Sequence, residues 1–353
     1  MTYFSKLEMV VNIGILGCGT ISWYHLKQIQ AIDTANVTAV YNRSLQPLEK
    51  FGDAAGLPGS RRFRDYSKLL KQDDLDAVIN CLPNSLHSNV TIDAHEAGLH
   101  VLCEKPMATN LDDAKAMIAA SRRNDKKLLI GLTRRFKGDS QRLKEVVDSG
   151  ELGEIYYTKC GWMRRNGIPG WGSWFTREED AGAGPIYDIG VHTLDLAFWL
   201  ASNFEPKKVL ASKYTRFGDK QKGLGDWGIP NYEGYYDVED LASALIKMKN
   251  GATVAFDVSW AAHIEKSVFS VKLMGDKGGL DLEKMTVYTP ENDRKLKHVE
   301  TDPYYREMSH FIDCIINDRE PVTKPGEMLA LQKTLDMILL SSREDRIVDA
   351  NEI

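Results

Sequence analysis

A short apolar run, Val10–Leu16, ends directly on Gly17-Cys18-Gly19-Thr20-Ile21-Ser22 and passes into a helical pattern over Ile21–Ala31. Few features constrain a fold more. The first glycine permits a tight turn, and the second leaves backbone N–H groups at the head of the helix open to an anion. Position six is Ser22, small enough to pack against the strand. A strand, a glycine turn and a helix, with a second strand (Val37–Tyr41) following within about 30 residues, mark a dinucleotide pyrophosphate site.

The alternation continues. Ala77–Cys81, His100–Cys103 and Lys127–Leu132 read as buried strands, with helices over Leu45–Ala55, Ser85–Ala97 and Leu111–Asn124. Such alternation implies a doubly wound parallel sheet with helices on both faces. A Rossmann domain is therefore expected over residues 1–132 of this α/β chain. After Thr133 the texture changes to a helix (Asp139–Ser149), an extended stretch (Glu154–Arg164), a Gly/Trp-rich loop (Asn166–Phe175) and a helix from Gly190 to Leu200. Strand-like segments follow at Lys208–Arg216, Asp240–Met248, Thr253–Trp260 and Ser267–Met274, then helices at Tyr304–Asn317 and Glu327–Leu340. In Thr253–Trp260 the side chains of Val254, Phe256, Val258 and Trp260 fall on one face, a period of two that suits an antiparallel sheet covered on one side. Residues 133–353 are expected to form a C-terminal α+β domain.

At 353 residues the chain suits two domains. A net charge of -5 without a basic stripe argues against nucleic acid as a partner. The pairs Arg61-Arg62, Arg122-Arg123 and Arg134-Arg135 read as solvated charges. The most apolar window, Ile186–Ala201, is interrupted by Asp188, His192 and Asp195 and cannot span a membrane. Five scattered cysteines without a C-x-x-C pair fit neither a disulfide framework nor a zinc site, and Met1–Met9 lacks the apolar core of a secretion signal. A cytoplasmic setting and a small-molecule partner are expected.

The end of the second strand reports on the adenosine ribose. Dinucleotide enzymes using NAD usually place Asp or Glu there, whereas this chain has Asn42, Arg43 and Ser44. Asn42 can bond a 2′-hydroxyl without repelling a 2′-phosphate. Arg43 could hold that phosphate, stack on adenine or face solvent, so NAD and NADP both stay open. Leu82-Pro83-Asn84 with His87, and Cys103-Glu104-Lys105-Pro106, follow the Ala77–Cys81 and His100–Cys103 strands at the carboxyl edge where such sheets bind ligands. The candidate cofactor contacts are thus Gly17, Gly19, Thr20, Ile21, Asn42, Arg43, Leu82, Pro83, Asn84, His87, Glu104 and Lys105. A lysine beside a nicotinamide can take or relay the proton of a carbinol. Glu104 could orient it, although an ion pair in a turn would look the same.

Tyr187–Asp195 carries the second constellation. On a helix starting near Gly190, His192 and Asp195 share a face and Asp188 stands at the entrance. His192 is the natural general acid or base. Asp188 could hold its imidazole, bind a sugar hydroxyl or simply cap the helix, while Asp195 reads as structural. No third ligand at suitable spacing accompanies Asp188 and His192, so no metal is expected. The loop bearing Arg164, Arg165, Trp171, Trp174 and Phe175 suits carbohydrate, through ring stacking and forked guanidinium hydrogen bonds, and would equally suit a subunit interface. Arg164 and Trp171 join Lys105, Asp188 and His192 as candidate substrate contacts.

These motifs together resemble the Gfo/Idh/MocA oxidoreductases (glucose-fructose oxidoreductase, inositol dehydrogenase and relatives). The resemblance is carried by Gly17-Cys18-Gly19, Pro83-Asn84 with His87, Glu104-Lys105-Pro106, and Asp188-x-Gly190-x-x-x-x-Asp195 enclosing His192. It extends through Arg135-Phe136, Gly150-Glu151-Leu152-Gly153 and Gly275-Asp276-Lys277-Gly278-Gly279. It implies that Lys105 and His192 are catalytic, that Asp188 binds substrate or assists proton transfer, and that Lys105–Pro106 is a cis peptide. An open, predominantly antiparallel sheet that pairs subunits into homodimers or homotetramers is implied too. Ala181-Gly182-Ala183-Gly184-Pro185 departs from the family's run of consecutive glycines.

The expected activity is that of an NAD(P)-dependent dehydrogenase oxidising or reducing a secondary hydroxyl of a sugar, glycoside or cyclitol. The same parts could serve an NAD-dependent glycoside hydrolase working by transient oxidation. A ligand-sensing regulator without turnover would have no need of Lys105 and His192, and both are present.

Overall fold

Six parallel strands build the first sheet: β1 (Val11–Leu16), β2 (Ala35–Tyr41), β3 (Arg62–Phe63), β4 (Ala77–Asn80), β5 (His100–Cys103) and β6 (Leu128–Ile130). Their order is β3-β2-β1-β4-β5-β6, so the topology reverses between β1 and β4 and opens a crevice at the carboxyl ends there. This computed structural model describes residues 9–353, and the expectation about the 1–9 segment rests on residues almost wholly outside that range. Helices α1 (Thr20–Ile29) and α2 (Leu45–Ala54) cover one face of the sheet, where Leu26, Ile29, Leu48 and Phe51 pack on Ile13, Ile15 and Ile79. A single turn, α3 (Tyr66–Leu69), precedes β4, and α4 (His87–Glu96) and α5 (Leu111–Arg123) cover the other face.

A nine-stranded sheet forms the second layer system. It comprises β7 (Ile155–Met163), β8 (Pro206–Tyr214), β9 (Leu241–Met248), β10 (Thr253–Ser259), β11 (Val268–Gly275), β12 (Gly279–Asp281), β13 (Thr286–Tyr288), β14 (Asp293–Lys295) and β15 (Val348–Asp349), in the order β14-β13-β12-β11-β7-β10-β9-β8-β15. Only the β7–β10 pair is parallel. The face predicted from Val254, Phe256, Val258 and Trp260 is the buried one, all four being at most 4% exposed. In chain order α6 (Gly138–Asp148) precedes β7, the turn α7 (Glu178–Ala181) and α8 (Val191–Ala201) lie between β7 and β8, and α9 (Pro303–Ile316) and α10 (Pro325–Glu344) lie between β14 and β15.

Two features depart from expectation. First, α9 returns to the nucleotide-side sheet, placing Met308, Phe311, Ile312 and Ile315 in the core of β1 and α1. A cut at residue 132 would therefore remove part of the cover of that face, leaving only α1 and α2 on it. Second, Arg134-Arg135 is not a solvated pair. Arg135 is fully buried and bonds Asp195 (2.6 Å) and Glu327 (2.6 Å), since a charge withdrawn from water needs opposite charges in hydrogen-bond contact. Asp195 is spent on this ion pair, which makes it structural. Among the described residues no helix is long and apolar enough to cross a membrane, and all five cysteines are unpaired.

Candidate active site

The strand-to-helix turn after β1 keeps the geometry that a pyrophosphate needs. Gly17 has φ 98°, and a Cβ there would stand 2.9 Å from the Cys81 carbonyl oxygen. Nothing lies within 4 Å of the Cβ position of Gly19. No side chain caps α1 and no acidic residue sits in its first turn, so the N–H groups at its head are left for an anion. Asn42 is drawn into the turn itself, accepting from the Cys18 N–H (3.2 Å) and donating to the Ser44 carbonyl (2.9 Å). Arg43 is exposed, and its carbonyl accepts from the Arg64 guanidinium (3.2 Å), which brings a second cation to the end of β2.

Where the two sheets meet, the carboxyl ends of β4 and β5 open into a cavity of about 460 Å³ whose lining includes Ile21, Leu82, Lys105, Arg164, Asp188 and His192. Lys105 follows β5 on a loop that includes a cis Lys105–Pro106 peptide. Its ammonium donates to the Asp188 carboxylate (2.9 Å) and to the Asp188 backbone carbonyl (2.6 Å). The other carboxylate oxygen of Asp188 accepts from the Trp260 indole N–H (2.8 Å). Asp188 stands not at a simple helix cap but on a turn of π-helix, Ile186–Gly190, that leads into α8. Two neighbours set that turn. The Tyr187 hydroxyl is tied to the Thr109 carbonyl (3.0 Å) and to Asp336 (2.9 Å). Gly190 lies against Phe256, leaving 2.7 Å where a Cβ would need more. The departure at Ala181–Pro185 thus leaves Asp188 aimed at Lys105.

Burial alone would raise the Asp188 carboxyl, but the Lys105 and Arg164 charges, with hydrogen bonds from Lys105 and Trp260, hold it below the usual carboxylate range. The His192 imidazole is pushed well below its ordinary value, first by burial and then by Lys105, Arg134 and Arg164. It is therefore neutral at physiological pH. Its Nδ1 is buried without a hydrogen-bond partner, which leaves Nε2 as the nitrogen available to the cavity. Lys105, Asp188 and His192, predicted from distant segments, come together around one space. Arg164 joins them, its guanidinium 4.4 Å from the Trp162 ring centroid.

Several predicted residues stand elsewhere or do other work. Trp171 is outside the cavity: its indole donates to the Gly218 carbonyl (2.7 Å) and its ring stacks on Tyr232, because the 166–175 loop packs on the 217–236 loop. Arg165 faces away, bonding the Ile264 and Glu265 carbonyls. Glu104 makes no hydrogen bond to the Lys105 amine; it bonds His25 (2.7 Å) and, like the lysine, lines the cavity. Burial would raise the Glu104 carboxyl, and His25 with Lys105 brings it below its usual range. His87 has both ring nitrogens against carbonyls, Pro106 (2.7 Å) and Leu82 (2.9 Å), so it clasps the two ligand-edge loops together. Asn84 reaches across to the Ala181 carbonyl (2.8 Å) and locks the two sheets' loops to one another.

Sequence reasoning missed Arg134, Trp162, Trp227 and Tyr304, all in the cavity wall. Arg134 lies over the Trp162 and Phe269 rings at 4.7 and 4.6 Å. In the sequence it is half of a pair that reads as solvated and carries no separate local signal. Nothing in the local pattern around Trp227 or Tyr304 distinguishes them from loop and helix-start aromatics.

Comparison with known proteins comes to the same place. An oxidoreductase family described as having an NAD-binding Rossmann fold matches residues 11–132, and the GFO/IDH/MocA C-terminal domain matches residues 140–281. D-glucoside 3-dehydrogenase of Escherichia coli is 35% identical over 288 residues, covering 80% of each chain. Myo-inositol 2-dehydrogenase of Thermotoga maritima is 25% identical, over 90% of this chain and 91% of its own. Among solved structures, levoglucosan dehydrogenase in complex with NADH and levoglucosan shares the fold with a TM-score of 0.83 at 19% identity, over 97% of this chain and all of that one (100%).

Proposed function

Since the chain belongs to the Gfo/Idh/MocA oxidoreductase family and is an NAD(P)-dependent enzyme acting on CH–OH groups, we propose that it oxidises a secondary ring hydroxyl of a sugar or glycoside. One observation carries this proposal: the Lys105 ammonium, pinned by Asp188, shares a cavity with a neutral His192 at the carboxyl edge of the nucleotide sheet. The D-glucoside relative supports a glycoside in preference to a cyclitol.

The residues present fit a dinucleotide. Backbone groups of Gly17, Gly19, Thr20 and Ile21 would hold the pyrophosphate, and Leu82 and Pro83 would flank the nicotinamide half. When bound, the cofactor supplies the acceptor for a hydride from the carbinol carbon. His192 takes the hydroxyl proton at Nε2, for which a neutral ring is required. Lys105 donates a hydrogen bond to the same oxygen and favours its alkoxide form. Asp188 keeps the ammonium in place, and Trp260 keeps Asp188 in place. With no carboxylate at the end of β2 and with Arg43 and Arg64 beside it, the ribose site admits NADP as well as NAD.

Unpaired thiols suit a reducing cytoplasm. The outer face of the second sheet exposes Tyr156, Leu210, Tyr214 and Leu245, and we place a homo-oligomer contact there, to be checked by light scattering of the wild type and a Leu245→Glu, Tyr156→Glu variant. The test of function is a panel of free sugars, glycosides, sugar phosphates and inositols, assayed for reduction of NAD and of NADP separately. Turnover of a sugar or glycoside is expected. Turnover of inositols alone would contradict the proposal.

A further inference from the structure

The active-site cavity has two unlike ends. Lys105, Asp188 and His192 line its largely buried part. At its mouth three rings follow one another: Trp227 and Tyr24, with centroids 6.0 Å apart and planes at 35°, then Tyr24 and Tyr304, 5.1 Å apart at 36°. Trp227 and Tyr304 line the cavity and Tyr24 bridges them. The three come from unrelated parts of the chain. Trp227 rides on the long 217–236 loop of the second domain, Tyr24 projects from α1, and Tyr304 opens α9. Tyr24 is 41% exposed and so is no core residue.

The shelf is built, not incidental. The Trp227 carbonyl accepts from the Gly170 N–H (2.8 Å), and Gly228, at φ 78°, packs on Phe175 and Gly170. The 166–175 loop therefore fixes where the Trp227 ring sits. Trp171 and Trp260 spend their indole N–H groups inside the protein, on the Gly218 carbonyl and on Asp188. Among the described residues the Trp227 indole and the Tyr24 and Tyr304 hydroxyls make no such bond to protein. Each ring thus offers an apolar face and a free polar edge at the entrance. That combination suits a flat, hydroxyl-rimmed or aromatic ring. It offers nothing specific to a methyl group or to a small ion.

The geometry points to a second, ring-binding subsite at this mouth. The preferred substrate is a glycoside whose aglycone is itself a ring, an aryl group or a second sugar, and Trp227 selects it. The inference rests on the dehydrogenase proposal above: one pyranose presents its hydroxyl to Lys105 and His192, and the group attached to it lies on the three rings.

The experiment compares kcat/KM for the methyl glycoside, phenyl glycoside and disaccharide of whichever pyranose is oxidised fastest, in the wild type, Trp227→Ala and Trp227→Phe. The wild type is expected to favour a ring-bearing glycoside over the methyl glycoside by on the order of tenfold, mainly through KM. Trp227→Ala should collapse that ratio toward one and Trp227→Phe should restore most of it. Which ring glycoside holds the advantage separates an aryl aglycone from a second sugar. A wild-type ratio near one, or an unchanged ratio in Trp227→Ala, overturns the subsite. Calorimetric titration of the phenyl glycoside into the wild type and Trp227→Ala keeps the two proposals apart. If no sugar reduces either cofactor, the dehydrogenase proposal falls, while binding that Trp227→Ala abolishes still upholds the subsite and absence of binding ends it.

Discussion

Lys105 and Asp188, 83 residues apart in the chain, meet at 2.9 Å across the junction of the two domains. The lysine comes from the end of a parallel strand and the aspartate from a π-turn at the head of α8, so the pair exists only when both sheets are assembled. If Asp188 serves chiefly to hold the ammonium, Asp188→Asn should lower kcat by about 10²–10⁴-fold, as should Lys105→Ala, with dinucleotide affinity changed little. Trp260→Phe, which removes only the indole donor to Asp188, should lower kcat by roughly tenfold with KM nearly unchanged. Steady-state kinetics with fluorescence titration of NADH checks all three. A large rise in the Kd for NADH would move the pair from chemistry to cofactor binding.

The pH dependence follows from the charges around His192. Burial, then Lys105, Arg134 and Arg164, holds its imidazole well below the ordinary value. The base form therefore persists as pH falls through 6.5, the ordinary histidine pKa, and the acid limb of kcat/KM should lie well under that pH. Removing one cation with Arg164→Gln should let the imidazole protonate at higher pH, so the limb moves upward. A limb that stays fixed in Arg164→Gln would assign it to another group.

The buried ion cluster predicts a stability effect without a catalytic one. Arg135 touches Asp195 and Glu327, and Asp195 lies one turn beyond His192 on α8. Asp195→Ala leaves a guanidinium buried without its fully buried partner and should cost about 3–5 kcal/mol in denaturant unfolding. KM at a temperature where the variant is folded should change little. A selective change in KM at full stability would show that Asp195 reaches the substrate.

Glu307 offers a second stability test. It is fully buried on α9, neither carboxylate oxygen has a hydrogen-bond partner, and burial with the nearby Glu104 charge pushes its carboxyl well above the usual range. A folded pKa raised above the unfolded one contributes stability that is complete below the unfolded value, about 4.3, and is lost as pH rises through the folded one. Glu307→Gln removes that loss. Its Tm should match the wild type near pH 4 and exceed it by roughly 2–4 °C near pH 8 if about 1 kcal/mol is recovered. An equal or lower Tm at pH 8 would show that the carboxylate is ionised and held by a partner.

How much of this was legible in the sequence varies by element, for physical reasons. The first sheet was readable because β1, β4 and β5 are buried on both faces and are therefore mainly apolar, and because the Gly17 turn demands a positive φ. β10 was readable because only one of its faces is covered. The two- and three-residue strands β3, β12, β13, β14 and β15 are too short to show a period. At the site, Lys105, Asp188 and His192 were visible because proton transfer restricts the residue types that can do it. Trp227 and Tyr304 were not, since a ring that forms a wall carries no such signature and only the packing of separate loops brings it there. Trp171 and Trp174 look alike on one loop for the same reason, and only the packing puts Trp174 in the cavity wall and Trp171 outside it.

The central claim, that a pinned ammonium and a neutral imidazole act on one hydroxyl, is tested most directly by single-turnover reduction of saturating dinucleotide with the best substrate. Wild type, Lys105→Ala, His192→Asn and the double variant are followed through the nicotinamide absorbance. Each single variant should slow the step by at least about 10²-fold, and the double should be little slower than the worse single, as groups acting as a unit behave. A near-normal step in either single variant would contradict the account.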